Sequence, residues 1–160
     1  MAFTVNIDLG YTFAVKAGVS EVFDVLADVP TSASLFPSLE RLVDLGENAY
    51  RWEMAKIGIS QANIQTIYAS KYVSDRAKGT VVWTPVDGEG NARVSGHWKI
   101  TGQKDATRIT LQIQGELELP LPSLMKIIVA PVVESEFERL ILQYIDHLTV
   151  RFGGEVVSPR

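Results

Sequence analysis

The chain has 160 residues, 46% of them hydrophobic, enough for one domain with a sizeable core. A net charge of −4, with no cluster of lysine and arginine, excludes a nucleic-acid partner, because phosphate binding needs a basic face. There is no cysteine, which excludes disulfides, thiolate metal sites and a cysteine nucleophile.

The first segment, "FTVNIDLGYTFAV", alternates cleanly. Phe3, Val5, Ile7, Leu9, Tyr11, Phe13 and Val15 face one way, which predicts a long half-buried strand with a bulge or bend at Gly10. The opening residues lack the basic and apolar regions of a signal peptide, so a cytoplasmic location is expected. In "GVSEVFDVLADVPTSASLFPSLE" the period changes. Ser20 is placed to cap a short helix burying Val22, Phe23, Val25 and Leu26. Pro30 is expected to end it and to permit a second short helix, from Thr31 or Ser32 to just before Pro37.

Strand and turn follow. The expected strands run Leu39–Leu45, Ala49–Ile57, Ala62–Ser74, Thr80–Val86, Ala92–Thr101 and Thr107–Leu119, with turn signals between them including "DGEGN" at 87–91. Short connections of this kind make an antiparallel meander. Then comes "LPLPSLMKIIVAPVV", whose single charge is Lys126. It is too short to span a membrane. Pro120 and Pro122 should stop the last strand, and a helix from Ser123 would be bent or interrupted at Pro131. Val133, Phe137, Leu140, Ile141, Tyr144, Ile145, Leu148 and Phe152 recur at helical spacing as far as Gly153 and Gly154. A frayed tail is expected over 155–160.

One long helix laid on a curved seven-stranded sheet cannot fill it, and the remaining space is a cavity. The expected class is α+β in the order β-α-α-β6-α, a single domain over 1–154. That order resembles the START-like superfamily, also called SRPBCC, helix-grip or Bet v 1-like, in its polyketide cyclase/dehydrase-like branch. The segments carrying the resemblance are "VSEVFDVLADVPTSASLFPSLERL", similar to the first helical pair, and "GTVVWTPV…GHWKITGQKDATRITLQIQGEL", similar to the later hairpins. The resemblance implies a fold that serves lipid and quinone carriers, hormone receptors and ring cyclases alike.

Alternation gives the inner face strand by strand. Tyr50, Trp52 and Met54 point together. So do Ile64, Thr66, Tyr68, Ser70 and Tyr72, then Val81 and Trp83, then Val94, Gly96, Trp98 and Ile100, and last Ile109, Leu111, Ile113 and Leu117. The candidate ligand-binding residues are Tyr50, Trp52, Met54, Tyr68, Tyr72, Trp83, Trp98, Leu111 and Ile113, with Leu124, Ile128 and Phe137 from the C-terminal helix. An interior of this kind suits a lipid, an isoprenoid quinone or a polycyclic compound, oriented by a few hydroxyls and an indole N–H.

Catalytic signals are weak. Arg51, Glu53, Arg93, His97, Lys99 and Arg108 fall on the outer face, so the alternation supplies no acid or base to the cavity. His97 and His147 lack metal-ligand spacing, and no cofactor is expected. A cyclase or aromatase using Tyr50, Tyr68 or Tyr72 as proton donors stays open. So do a transient contact of the apolar run with a membrane surface, with Leu124, Ile127 and Ile128 as its gate, and a regulatory module whose partner is another protein.

Overall fold

A computed structural model describes residues 2–59 and 62–156. In chain order it comprises β1 (Phe3–Val15), α1 (Val19–Ala27), α2 (Val29–Ala33), β2 (Leu39–Gly46), β3 (Ala49–Met54), β4 (Ile57–Ile59), β5 (Ala62–Ile64), β6 (Ile67–Asp75), β7 (Thr80–Val86), β8 (Ala92–Gln103) and β9 (Ala106–Leu119). A 3-10 turn at Ser123–Met125 then leads into α3 (Lys126–Arg151). Seven strands form one antiparallel sheet in the order β1-β9-β8-β7-β6-β3-β2, while β4 and β5 form a separate small hairpin. This is the helix-grip arrangement, with α3 across the apolar face of the sheet.

Period-two alternation explains the sheet. In β1 the inward set Phe3, Val5, Phe13 and Val15 is buried, and β1 pairs with β9 without a break from Phe3–Leu119 to Val15–Thr107. Gly10 therefore marks no bulge. It stands opposite Gln112, and a Cβ there would lie 2.4 Å from the Gln112 side-chain nitrogen, so the glycine makes room for that amide on the outer face.

Two strands of the middle of the chain differ from the sequence expectation. Both are interrupted, between Met54 and Ile57 and between Ile64 and Ile67, and the small hairpin β4–β5 stands between the breaks. Side-chain amides make up for the lost ladder. Asn91 accepts from the Ile67 N–H at 2.9 Å and donates to the Gln65 carbonyl at 2.8 Å, and Gln65 donates to the Met54 carbonyl at 2.9 Å. Met54 N–H binds the Thr66 carbonyl at 3.0 Å, and Ala55 N–H binds Ser38 at 2.7 Å.

The helical pair also differs in detail. Gly18, not Ser20, stands at the N-cap of α1, with no side-chain cap. Asp28 closes α1 and caps α2, accepting from Thr31 N–H, so Pro30 sits in the first turn of α2 rather than ending α1. The outcome is the one a proline tolerates best, since its missing N–H has no helical partner at that position anyway.

At the far end β9 stops at Leu119, just before the prolines. α3 then runs through Pro131 without interruption. Its buried stripe is Val129, Val133, Leu140, Ile141, Tyr144, Ile145 and Leu148, with Phe152 just beyond it. Pro131 cannot donate to the Ile127 carbonyl one turn earlier, and a proline inside a helix costs up to about 3 kcal/mol. Pro131→Ala should therefore raise stability, read as a higher urea midpoint with an unchanged slope. If it also leaves ligand exchange rates unchanged, the proline has no gating part. Beyond the helix, Glu155 bridges to Val15 and Val156 N–H binds the Ala14 carbonyl at 2.9 Å, so this part of the expected frayed tail is paired. Residues 157–160 lie outside the described residues.

Candidate functional site

The interior between sheet and α3 holds two adjoining apolar chambers of about 50 Å³ and 40 Å³. Tyr68, Phe36 and Ile113 line both and form the wall between them. The first chamber lies under α3, with Met54, Thr66, Val94, Leu117, Phe137 and Ile141 in its walls. The second lies under the short helices, where Leu26, Val29 and Ser32 meet Trp52, Tyr72, Trp83, Trp98, Leu111 and Tyr144.

Aromatic rings build the second chamber. Tyr72 contacts Trp83 with centroids 5.8 Å apart, Trp83 contacts Trp98 at 6.3 Å, and Trp98 contacts Tyr144 at 6.0 Å. Tyr144 contacts Phe36 at 5.1 Å and Phe36 contacts Trp52 at 5.7 Å. The circuit closes where the Trp52 indole N–H donates to the Tyr72 hydroxyl at 2.9 Å. Tyr68 stacks on Trp52 at 5.9 Å with planes 9° apart, and Tyr50 lies edge-on to Tyr72. Most of these pairs are tilted or edge-on, the geometry that the ring quadrupoles favour. Gly96 makes one contact achievable. A Cβ there would lie 2.7 Å from the Trp83 ring and 2.3 Å from the Gln112 carbonyl oxygen, so only glycine lets the indole lie against β8.

Some of the polar groups inside are hydrogen-bonded. Ser32 and Tyr144 share a hydrogen bond between their hydroxyls, and Ser70 donates to the Val94 carbonyl at 2.8 Å. Thr66 is buried in the wall of the first chamber, and its hydroxyl has no hydrogen-bond partner among the described residues. Burial holds the phenols neutral. It raises Tyr68 well above the usual range, with Tyr72 and Tyr144 close by adding to the effect. Tyr144 is pushed up to about 12 by burial, which outweighs its bond with Ser32. Tyr72 is raised as well, burial outweighing the bond from Trp52. These groups can donate protons in hydrogen bonds, and none is poised to serve as a base near neutral pH.

Of the sequence candidates, Trp52, Tyr68, Tyr72, Trp83, Trp98, Leu111 and Ile113 line the second chamber, and Met54, Tyr68, Ile113 and Phe137 line the first. Tyr50 lines neither. It stands behind Tyr72 and borders a surface groove with Phe36, Leu39 and Leu42. Leu124 and Ile128 are outside the walls, 85% and 62% exposed, because the stripe of α3 that meets the sheet begins with Val129 and Val133. Sequence reasoning missed Ser32 and Phe36 altogether, and it placed Tyr144 in the core without giving it to the cavity. Ser32 lies on α2, Tyr144 on α3, and Phe36 in the segment just after α2. His147 is held by the Leu35 carbonyl, 2.8 Å from its Nδ1, a contact between α3 and the segment after α2.

No family model matches the chain, and neither does any curated protein. Solved structures do. The Zhui aromatase/cyclase from Streptomyces sp. R1128 aligns with a TM-score of 0.67 at 16% identity, over 93% of this chain and 99% of that one. A START superfamily protein from Mycobacterium smegmatis aligns at 0.65 and 13% identity, over 91% and 96%. The ginseng major latex-like protein 151 from Panax ginseng aligns at 0.59 and 10% identity, over 93% and 99%. At such identities the likeness is one of fold. The strand order, the paired short helices and the C-terminal helix across the sheet are those of the START-like, helix-grip fold.

Proposed function

We propose that this protein binds and carries an uncharged hydrophobic small molecule, a lipid, isoprenoid quinone or polycyclic compound, within the chambers under α3, and that it does so in the cytoplasm. The observation that carries the reading is the closed circuit of aromatic rings around the second chamber, set beside an almost wholly apolar first one. The two volumes, about 50 and 40 Å³, are far below the roughly 300 Å³ at which drug-sized ligands begin to be held. Binding therefore requires the shared wall of Phe36, Tyr68 and Ile113 to move. Ligand burial at roughly 25 cal/mol per Å² supplies the drive, and each aromatic contact broken opposes it by about 0.5–1.5 kcal/mol.

Native mass spectrometry of the purified protein, with extraction of whatever co-purifies, tests this. The expected result is an apolar adduct, or saturable uptake of a short-chain quinone or Nile red by the free protein. A protein that takes up no lipid, quinone or dye would end the carrier reading.

A second reading is a cyclase or aromatase, favoured by the buried tyrosines that keep their protons. Against it, Glu116 is the one carboxylate among the chamber-lining residues, and it is exposed.

The exposed start of α3 favours loading at a membrane surface. Leu124, Ile127 and Ile128 are 85%, 81% and 62% exposed, with Val132 beside them and Lys126 the only charge nearby in sequence. No helix among the described residues is long and apolar enough to cross a membrane, so the contact is superficial. In co-flotation with phosphatidylcholine vesicles, Leu124→Glu/Ile127→Glu should reduce the bound fraction several-fold and leave the melting temperature unchanged. Equal flotation of variant and wild type would remove the membrane from the proposal.

A further inference from the structure

Resting on the cavity reading above, we propose that the Thr66 hydroxyl is the polar anchor of the first chamber, and that the ligand is an uncharged, mainly apolar molecule presenting one oxygen, carbonyl or hydroxyl, to it. Thr66 is 3% exposed, and its hydroxyl has no partner among the described residues. That is unusual, because a buried hydroxyl left without a partner costs about 1–3 kcal/mol and almost always finds one. Threonine most often satisfies itself by bonding back to the main chain. Here three of the nearby backbone groups already have other partners. The Thr66 carbonyl accepts from Met54 N–H, the Gln65 carbonyl accepts from Asn91, and the Ile67 N–H is held by the Asn91 side chain.

The surroundings define what would satisfy it. The residues around Thr66 in the chamber wall are mainly apolar, among them Ile7, Phe36, Met54, Val94, Leu117 and Ile141, with Tyr68 and the exposed Glu116 also lining it. A charged group placed against Thr66 among the apolar residues would lose its hydration, which favours a neutral ligand. In the second chamber Ser32 is bonded to Tyr144 and the Tyr72 oxygen accepts from the Trp52 indole, so those groups are partly engaged, whereas the Thr66 hydroxyl has no partner among the described residues. A free hydroxyl in a mainly apolar wall fixes an oxygen and with it the orientation of an otherwise featureless ligand. Its place in the break between β5 and β6 sets the hydroxyl on a segment pinned by Asn91 and Gln65, where it moves little when the chamber opens.

The test uses 2-naphthol and 2-methylnaphthalene, which share shape and differ by a hydroxyl in place of a methyl. Both need the same opening of the chambers, so that cost cancels between them. In calorimetric titrations, Thr66→Val should weaken 2-naphthol about 5- to 10-fold, the worth of one hydrogen bond, while 2-methylnaphthalene binds as tightly as before or more tightly. Thr66→Ser keeps the hydroxyl and should keep the preference for 2-naphthol. The ligand-free Thr66→Val protein should melt about 2–4 °C higher, because the orphan group is gone. Binding and stability thus move in opposite directions. Equal weakening of both probes, no change in either, or a lower melting temperature of the ligand-free variant would overturn the anchor and leave the cavity reading intact. Failure of both probes to bind the wild-type protein would overturn the cavity reading, and the anchor with it.

Discussion

Tyr68→Ala should lower the folding stability by about 3–5 kcal/mol and at the same time tighten the binding of a bulky apolar probe. The stability loss follows from removing a large buried ring, whose lost transfer energy is joined by the cavity left behind. Tyr68 is buried, stacks on Trp52 and stands in the wall common to both chambers. Its removal deletes that stack and joins two small spaces into one. The larger space should accept Nile red without the displacement that the native wall demands. Urea unfolding and dye titration on the same sample read the two effects. Loss of stability with no gain in binding would mean that the walls collapse into the gap and that Tyr68 is packing alone.

Alkaline pH should unfold the protein through the same residues. Tyr144 keeps its proton in the fold until about pH 12, whereas an unfolded phenol releases it near 10. Above pH 10 the unfolded chain binds fewer protons than the native one, so stability falls as pH rises, and it is fully present below that point. The displacement of Tyr144 alone corresponds to about 2–3 kcal/mol lost between pH 10 and 12. Tyr68 and Tyr72 are shifted in the same direction and add to the loss. Phenolate absorbance should therefore appear together with loss of circular dichroism, in one step, for the buried tyrosines. Tyr144→Phe should flatten the decline in stability over that interval. A phenolate signal that rises fully while the fold persists would contradict the burial of these rings.

The faces of the strands were legible because a period of two leaves little choice of register. The inward lists for β6 to β9 place Tyr68, Trp83, Trp98 and Leu111 where alternation puts them. The breaks that set off β4 and β5 were not legible. They depend on Asn91 and Gln65 bonding to main-chain groups, in the case of Asn91 more than twenty residues away, and nothing local in "AKIGISQANIQT" announces such bonds. The exposure of Leu124, Ile127 and Ile128 escaped for a different reason. An apolar run promises burial, but which side of α3 meets the sheet is decided by the stripe from Val129 onward. Ser32 escaped because a small polar residue on a five-residue helix carries no periodic signal, and its partner Tyr144 lies 112 positions away. Thr66 was assigned to the inner face, but its solitude depends on how its neighbours' bonds are shared out.

All three tryptophans of the chain, Trp52, Trp83 and Trp98, line the second chamber and none is exposed. The protein's own emission is consequently an optical probe of that one space, without background from indoles in water. In the native state it should be shifted to the blue, and movement of the Phe36–Tyr68–Ile113 wall should register as a change in intensity without any label. A quinone in the chamber would quench the three indoles together, so occupancy can be followed in unmodified protein, in real time, by fluorescence alone.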